Sequence, residues 1–118
     1  DNAFKEEIQQ KAELVSNWLE NIAQSYSDAG LSVRGRGLIQ GLVAPAKSGL
    51  ANKIAAECFK RGVVIETSGA HDEVLKILPS LTIPLEQLKH GLDVIESSVG
   101  AAWAETQRQK KVLNIRGA

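Results

Sequence analysis

Apolar residues in the first quarter of the chain recur at helical spacing. Between Phe4 and Tyr26 they return every three or four positions, and charged residues occupy most of the positions between them. That period places the apolar side chains on one face of an amphipathic helix. The pattern predicts a long helix over residues 4–27, with Gly30 suited to a left-handed C-terminal cap.

Four short apolar runs, each bounded by Gly, Pro or turn-forming residues, are typical of β-strands. Gly35 and Gly37 lie where the first two runs meet and supply the backbone freedom for a bend or bulge. A loop rich in turn-forming residues, 68–72, separates the last two runs. The predicted strands cover residues 31–37, 38–44, 63–66 and 74–78.

Two more helices follow from the same periodicity. The second is predicted over residues 49–61, with Ser48 as N-cap and Gly62 just beyond the C-terminus. The third begins after Pro84, which pre-sets a helical φ, and its apolar stripe continues to Trp103. From Glu105 onward the chain becomes polar and mildly basic, and the pattern leaves open whether this tail is helical or disordered.

The order of elements, α-β-β-α-β-β-α, predicts an α+β fold. We expect a two-layer sandwich in which a small, mostly antiparallel sheet has helices packed on one face. The predicted domain covers residues 1–104, comprising the long helix 4–27 and an α/β core at 31–104, and a polar tail follows at 105–118. A chain of 118 residues can bury a core without disulfides or metals.

Charge and composition narrow the classes of partner. Lys and Arg total 14, as do Asp and Glu, and aromatic residues make up 4% of the chain. A balanced charge with few stacking side chains argues against nucleic acid, and no apolar run approaches the ~20 residues of a membrane helix. The single cysteine, Cys58, excludes an internal disulfide and is compatible with a reducing cytoplasm, and we expect a cytoplasmic protein. The start at Asp1 and the absence of Met suggest processing or excision from a longer chain.

The residues that most often carry chemistry form no familiar constellation. His71 and His90 have no partners at metal-ligand spacing, so we interpret both as solvated and expect no metal site. The run Gly35–Gly41 reads G-x-G-x-x-x-G, one residue longer than the dinucleotide fingerprint, and a β-like run follows it instead of a helix. We therefore interpret Gly35, Gly37, Gly41 and Gly62 as structural glycines.

Three cations, Arg34, Arg36 and Lys76, lie in predicted strands. Strand alternation places Lys76 on the face opposite Leu75 and Ile77. Such a lysine either belongs to the solvated side of the sheet or reaches toward a carboxylate at the rim of a site. The spacing alone leaves both interpretations open.

Several segments together resemble the class III aminotransferases, which are pyridoxal-phosphate enzymes of fold type I. Residues 33–41 resemble the R-G-x-G-L-x-x-G stretch that opens the family's C-terminal domain. The similarity continues through 54–70, resumes at 74–83 and runs down the third helix to Val99. Within the family, segments 56–62 and 66–70 are most similar to the diaminobutyrate–2-oxoglutarate aminotransferases.

The resemblance implies different roles for the large domain and the C-terminal domain of such an enzyme. The large domain of such an enzyme carries the Schiff-base lysine and holds pyridoxal phosphate, and the C-terminal domain packs over the cofactor cleft. No lysine here stands in the family's Schiff-base context, so we expect no catalytic or cofactor-binding residue on this chain, and no activity from it alone. The implied partners are the large domain and further copies of the whole enzyme.

The resemblance also assigns roles to individual residues. Lys76 stands where ornithine aminotransferase-like relatives carry an arginine that binds a substrate carboxylate. Lysine keeps the positive charge and loses the bidentate fork. Lys76 is thus the main candidate substrate-binding residue, with Thr67 and Ser68 as further candidates at the rim.

Two alternatives remain at this point. The chain could be a stand-alone α+β module that binds a small ligand or associates with itself, since fold does not fix function. It could also belong to another class III member acting on 4-aminobutyrate, ornithine or acetylornithine. For a domain separated from its partner we expect the apolar surface around residues 38–43 to be either repacked or used in self-association.

Overall fold

A computed structural model describes residues 1–117, with the side chains of residues 1–114. The elements are α1 (Asn2–Ser25), a 3₁₀ turn (Ser27–Ala29), β1 (Ser32–Arg36), β2 (Ile39–Val43), α2 (Leu50–Lys60), β3 (Thr67–Ser68), β4 (Val74–Ile77) and α3 (Leu85–Gly117).

The four strands form one antiparallel sheet in the order β1-β2-β4-β3. Its core face presents Leu42, Leu75 and Ile77, which are buried together with apolar residues of all three helices. α1 contacts β1 and β2, α2 contacts β3 and β4, and α3 packs against both other helices. The predicted α+β class, with helices layered on an antiparallel sheet, is confirmed.

α1 reaches the core only through its second half. Val15, Leu19 and Ile22 are fully buried, whereas Phe4 near the N-terminus is exposed. The Asp1 carboxylate accepts a hydrogen bond from the Phe4 amide at 2.8 Å and caps the first turn. The helix ends at Ser25, and Gly30, with φ of 72°, caps the 3₁₀ turn instead. The prediction that Gly30 caps the long helix was therefore wrong, because Gly30 caps the 3₁₀ turn that follows it.

The glycine run forms a two-residue hairpin between β1 and β2. Arg36 and Ile39 pair at its end, and Gly37, with φ of 59°, is the first turn residue, as in a type II′ turn. Gly35 has φ of 102°, and a Cβ there would lie 2.2 Å from the Ile39 carbonyl oxygen. The predicted glycine bend is confirmed, and a phosphate loop is excluded because no helix follows these glycines directly.

A buried amide joins this hairpin to α1. Gln40 is 4% exposed; its Nε2 donates to the carbonyls of Ala12 (3.2 Å) and Gly37 (2.7 Å), and its Oε1 accepts from Ser16 Oγ (3.0 Å). A buried amide with its donors and acceptor satisfied fixes the geometry of its neighbours. Gln40 therefore sets how α1 lies on the edge of the sheet.

We predict that Gln40→Leu destabilises the fold although leucine suits the burial. It leaves Ser16 Oγ and the Gly37 carbonyl without this partner, at a cost of about 1–3 kcal/mol. Urea unfolding of the chain measures the loss. Gln10→Leu, on the exposed face of α1, is the matched control and should stay within about 0.5 kcal/mol of wild type. Equal effects of the two changes would contradict the linking role.

α2 has the predicted C-terminus and a shifted N-terminus. The Gly62 amide donates to Phe59 and the Val63 amide to Cys58, the hydrogen-bond pair of a Schellman motif, and Gly62 has φ of 85°. At the other end Gly49 is the N-cap. Ser48, predicted as the cap, lies one residue earlier, and its Oγ accepts from the Leu50 amide at 3.2 Å.

Two other predicted elements differ from the structure. Residues 63–66 are not a regular strand, and β3 is instead the pair Thr67–Ser68, which the sequence had placed in the following loop. The polar tail is helical, because α3 continues without a break to Gly117. Exposed pairs such as Glu105 with Arg108, and Lys110 stacked 5.3 Å from the Trp103 ring centroid, support this part of the helix.

Most of residues 38–43, where we expected apolar surface that is either repacked or used in self-association, are buried within the fold. Leu38, Gln40 and Leu42 are buried, and Ile39 alone is strongly exposed, at 74%. Strand alternation explains this, because successive residues of β2 point to opposite faces. Within residues 1–117, no helix is both long and apolar enough to span a membrane.

Candidate functional site

A row of four residues crosses the sheet on the face away from the helices. Arg34 pairs with Gly41, and Gly41 pairs with Lys76. The register of β3 and β4 continues by one residue, since the Lys76 amide donates to the Glu66 carbonyl at 2.9 Å. Arg34, Gly41, Lys76 and Glu66 thus stand side by side, and we call them the cross-strand row.

Lys76 lies on this open face as the alternation of β4 predicts. Its neighbours Leu75 and Ile77 are buried on the core side. The Lys76 side chain is 38% exposed, and its Nζ lies 3.7 Å from Oε2 of Glu66, which is 77% exposed. A solvent-exposed ion pair of this kind contributes little to stability. Because both side chains are exposed, both charges are accessible to a ligand.

A hollow of about 330 Å³ lies over the middle of the row. Gly41 and Val74 form its floor, and Arg34, Ser68 and Lys76 stand around it. A Cβ at Gly41 would lie 2.9 Å from Val74 Cγ1, so the absence of a side chain keeps the floor low. We call this hollow the Gly41 trough. Gly41 accordingly shapes the site in addition to its structural role.

The candidate substrate-binding residues separate onto two faces of the sheet. Ser68 lines the Gly41 trough together with Lys76. Thr67 pairs with Leu75 on the core side, where its hydroxyl donates to Asn52 Oδ1 of α2 at 3.2 Å. The structure thus brings Lys76 and Ser68 together and turns Thr67 toward the helices.

The loop between β3 and β4 is organised by a carboxylate. Glu73 Oε2 accepts from the His71 amide at 2.8 Å, and its carboxylate also folds against Gly69, which has φ of 96°. Hydrogen bonds from its own amide and from His71 lower the pKa of Glu73 below the ordinary 4.5, with a smaller contribution from the charge of Arg34. This loop forms one wall of the Gly41 trough.

We predict that Glu73→Gln weakens the fold at neutral pH and that this difference closes in acid. Because the folded pKa is lowered, the ionised carboxylate stabilises the fold above the unfolded value of 4.5, and this contribution is lost as pH falls further. Urea unfolding of both forms between pH 7 and pH 3 tests it. A difference that stays constant across that range would contradict the assignment.

Metal chemistry has no support in the described part of the chain. Residues 1–114 contain no cluster of three His, Cys, Asp or Glu side chains arranged to hold an ion. His71 lies in the loop of Glu73 and His90 lies on the outer side of α3, and both are exposed.

An apolar groove of about 470 Å³ adjoins the row on the α3 side. Its walls come from the segment after α2, the end of β4 and the first turns of α3, and Glu66 and Lys76 stand at its edge. Val64 and Leu78 at its rim are both more than half exposed. Exposed apolar surface of this kind marks a surface that meets another molecule or domain.

Glu66 is the main site residue that sequence reasoning did not single out. It ends the apolar run 63–66, and a charge at the end of such a run is ordinarily solvent-facing. Its position beside Lys76 depends on the register across the loop 69–73, and no local pattern specifies that register. The position of Glu66 beside Lys76 follows only once β3 is known to be the pair Thr67–Ser68.

The chain is similar to known proteins over most of its length. The model of the family "Aminotransferase class-III" matches residues 1–99. The chain is 61% identical over 116 residues to a diaminobutyrate–2-oxoglutarate transaminase of Bordetella parapertussis, covering 98% of this chain and 27% of that protein. It is 40% identical over 107 residues to the transaminase of that name from Wolinella succinogenes, covering 91% of this chain and 25% of that one.

The fold is that of a known aminotransferase. An N-acetylornithine aminotransferase from Stenotrophomonas maltophilia superposes with a TM-score of 0.75 at 24% identity, over 89% of this chain and 28% of that one. The chain therefore spans about a quarter of the length of the proteins it matches. On the match over residues 1–99 and the identity along nearly its whole length, the chain belongs to the class III aminotransferase family.

Proposed function

We propose that this chain is the C-terminal small domain of a diaminobutyrate–2-oxoglutarate transaminase. The enzyme would transfer the amino group of glutamate to aspartate 4-semialdehyde, which gives 2-oxoglutarate and L-2,4-diaminobutyrate. The observation that carries the proposal is the 61% identity, along 98% of the chain, to a transaminase of that name. The charged row and trough agree with it, because every one of these substrates carries at least one carboxylate.

In this proposal Lys76 binds a substrate carboxylate. It stands in the Gly41 trough beside Ser68, and a lysine ammonium binds carboxylates as a point charge. The Ser68 hydroxyl supplies a neighbouring donor. Thr67 acts indirectly, because its hydrogen bond to Asn52 fixes the strand that carries Ser68.

The residues of this chain do not fit pyridoxal phosphate. The cofactor needs a lysine for its Schiff base and an acidic partner for the pyridine nitrogen, and it then supplies the electron sink for amino transfer. Lys11 is only 8% exposed, but its Nζ donates to the Leu81 carbonyl at 3.4 Å. Lys76 faces the open trough and pairs with Glu66. We therefore assign the cofactor to the remainder of the enzyme.

The same remainder is the proposed partner of this domain. The apolar groove and the open face of the sheet both lie at the cross-strand row, so a large domain closing on that side would cover exposed Val64 and Leu78 and enclose Lys76. We further propose a cytoplasmic homo-oligomer for the whole enzyme, with no nucleic acid or membrane partner.

A donor panel tests the proposed function. The complete protein, supplied with pyridoxal phosphate and 2-oxoglutarate, is offered L-2,4-diaminobutyrate, ornithine, acetylornithine or 4-aminobutyrate, and glutamate formation is measured. We expect the highest kcat/KM with diaminobutyrate. A preference for one of the other three would identify a different class III activity, and no amino transfer at all would favour a stand-alone module.

A further inference from the structure

The cross-strand row carries its charges in an unusual order. From β1 to β3 it reads positive at Arg34, empty at Gly41, positive at Lys76 and negative at Glu66. Neighbouring strands lie about 4.8 Å apart, so the backbones of Arg34 and Lys76 are separated by about 10 Å. The two cations thus bracket a gap whose floor is Gly41, which has no side chain of its own, and the Val74 methyl group that lies over it. Glu73 also lines this gap.

Arg34 is available to a ligand in this arrangement. It is exposed, lines the Gly41 trough, and forms no ion pair with the side chains described for residues 1–114. Glu73 is the nearby acidic group, and its carboxylate is held by the amides of its own loop. The guanidinium is therefore left to meet an anion in the trough.

Glu66, at the β3 end of the row, carries a negative charge. Glu66 Oε2 lies 3.7 Å from Lys76 Nζ. In an α-amino acid the ammonium and the carboxylate are both bonded to the α-carbon, so the two charges have a similar separation. Laid against the row, the carboxylate meets Lys76 while the ammonium meets Glu66, and each charge faces its opposite.

We propose that Arg34 and Glu66, with Lys76, form a site for an α-amino acid head group. The carboxylate lies over Gly41 between Arg34 and Lys76, and the α-ammonium lies against Glu66. This inference rests on the proposed function and specifies which end of the substrate the domain holds. Diaminobutyrate bound in this way directs its 4-amino group away from the sheet, toward the cofactor-bearing domain.

The two substrates of one reaction distinguish the roles of Arg34 and Glu66. Diaminobutyrate has an ammonium beside its carboxylate, whereas 2-oxoglutarate has carboxylates and no ammonium. Arg34 therefore affects both substrates, and Glu66 affects diaminobutyrate alone. A purely structural role for Glu66 would produce no such difference between the substrates.

The test measures KM and kcat for both substrates in the complete enzyme. We expect Arg34→Gln to raise both KM values about 10-fold or more, since it removes a charge-assisted contact, and Arg34→Lys to recover much of the loss. Glu66→Gln should raise KM for diaminobutyrate about 10-fold and leave that for 2-oxoglutarate within twofold. Arg36→Gln is the matched control, because Arg36 shares the open face of β1 but pairs with Ile39 outside the row.

The outcomes separate the inference from the function on which it rests. Suppose that the wild-type enzyme transfers amino groups from diaminobutyrate and that the Arg34 and Glu66 variants bind both substrates as well as wild type. This result overturns the head-group site and leaves the proposed function standing. So does a Glu66→Gln enzyme that loses both substrates equally. A wild-type enzyme inactive with diaminobutyrate overturns the proposed function and this inference with it. Thermal melting of each variant identifies any loss caused by misfolding.

Discussion

Replacing Lys76 by alanine in the complete enzyme is expected to raise KM for both glutamate and diaminobutyrate by about 10- to 100-fold. The ammonium at the rim of the Gly41 trough is the cation on β4, and alanine leaves the carboxylate with Arg34 alone. Because the contact is made with the bound substrate as well as with the transition state, kcat should change much less. Steady-state kinetics with each substrate varied in turn measures both constants.

The controls for this prediction separate charge from position. Lys76→Arg retains the positive charge and should stay within a few-fold of wild type. Lys89→Ala removes a lysine of similar exposure that pairs with Glu86 on α3, far from the row in sequence and on another element, and should leave both constants unchanged. Unaltered KM values for both substrates in Lys76→Ala would show that Lys76 is only the solvated side of the sheet.

The second large effect is expected on the stability of the chain, when Gly35 is replaced in the hairpin that carries Arg34. Gly35→Ala puts a Cβ 2.2 Å from the Ile39 carbonyl oxygen at a φ of 102°. Backbone strain of about 1–3 kcal/mol and a clash that costs about as much again should together destabilise the chain by about 2–6 kcal/mol. Urea unfolding followed by circular dichroism measures this loss.

Gly37 provides the matched control for Gly35. It also has a positive φ, 59°, but nothing lies within 4 Å of a Cβ built there. Gly37→Ala should therefore show the backbone strain alone, about 1–3 kcal/mol. If Gly37→Ala proved as costly as Gly35→Ala, the close approach to Ile39 would not be what requires glycine.

Most of the secondary structure was predictable because it follows from local rules. The three helices follow from apolar periodicity, and the C-terminus of α2 follows from the Schellman geometry that Gly62 permits. The part of α3 beyond Glu105 was left open because periodicity reports burial, and residues 107–114 of the helix are exposed. Its stability comes from helix-favouring residues and short-range pairs, which leave no apolar stripe.

The candidate site was predictable only in its separate residues. Lys76 was identifiable as a lone cation between buried neighbours, and the class III resemblance gave it a role. The cross-strand row was not predictable, because placing Arg34, Gly41 and Glu66 beside Lys76 requires the strand order β1-β2-β4-β3 and the register of each pair. Gln40 was missed for a related reason, since its three hydrogen-bond partners lie on α1 and in the hairpin turn.

The most direct measurement follows each nitrogen of diaminobutyrate separately. The complete protein is incubated with pyridoxal phosphate, 2-oxoglutarate and L-2,4-diaminobutyrate carrying ¹⁵N either at position 4 or at position 2, and labelled glutamate is detected by mass spectrometry. A domain that holds the α-amino acid head group in a diaminobutyrate transaminase predicts labelled glutamate from the position-4 substrate only. Labelled glutamate from the position-2 substrate, or from neither, would contradict the account.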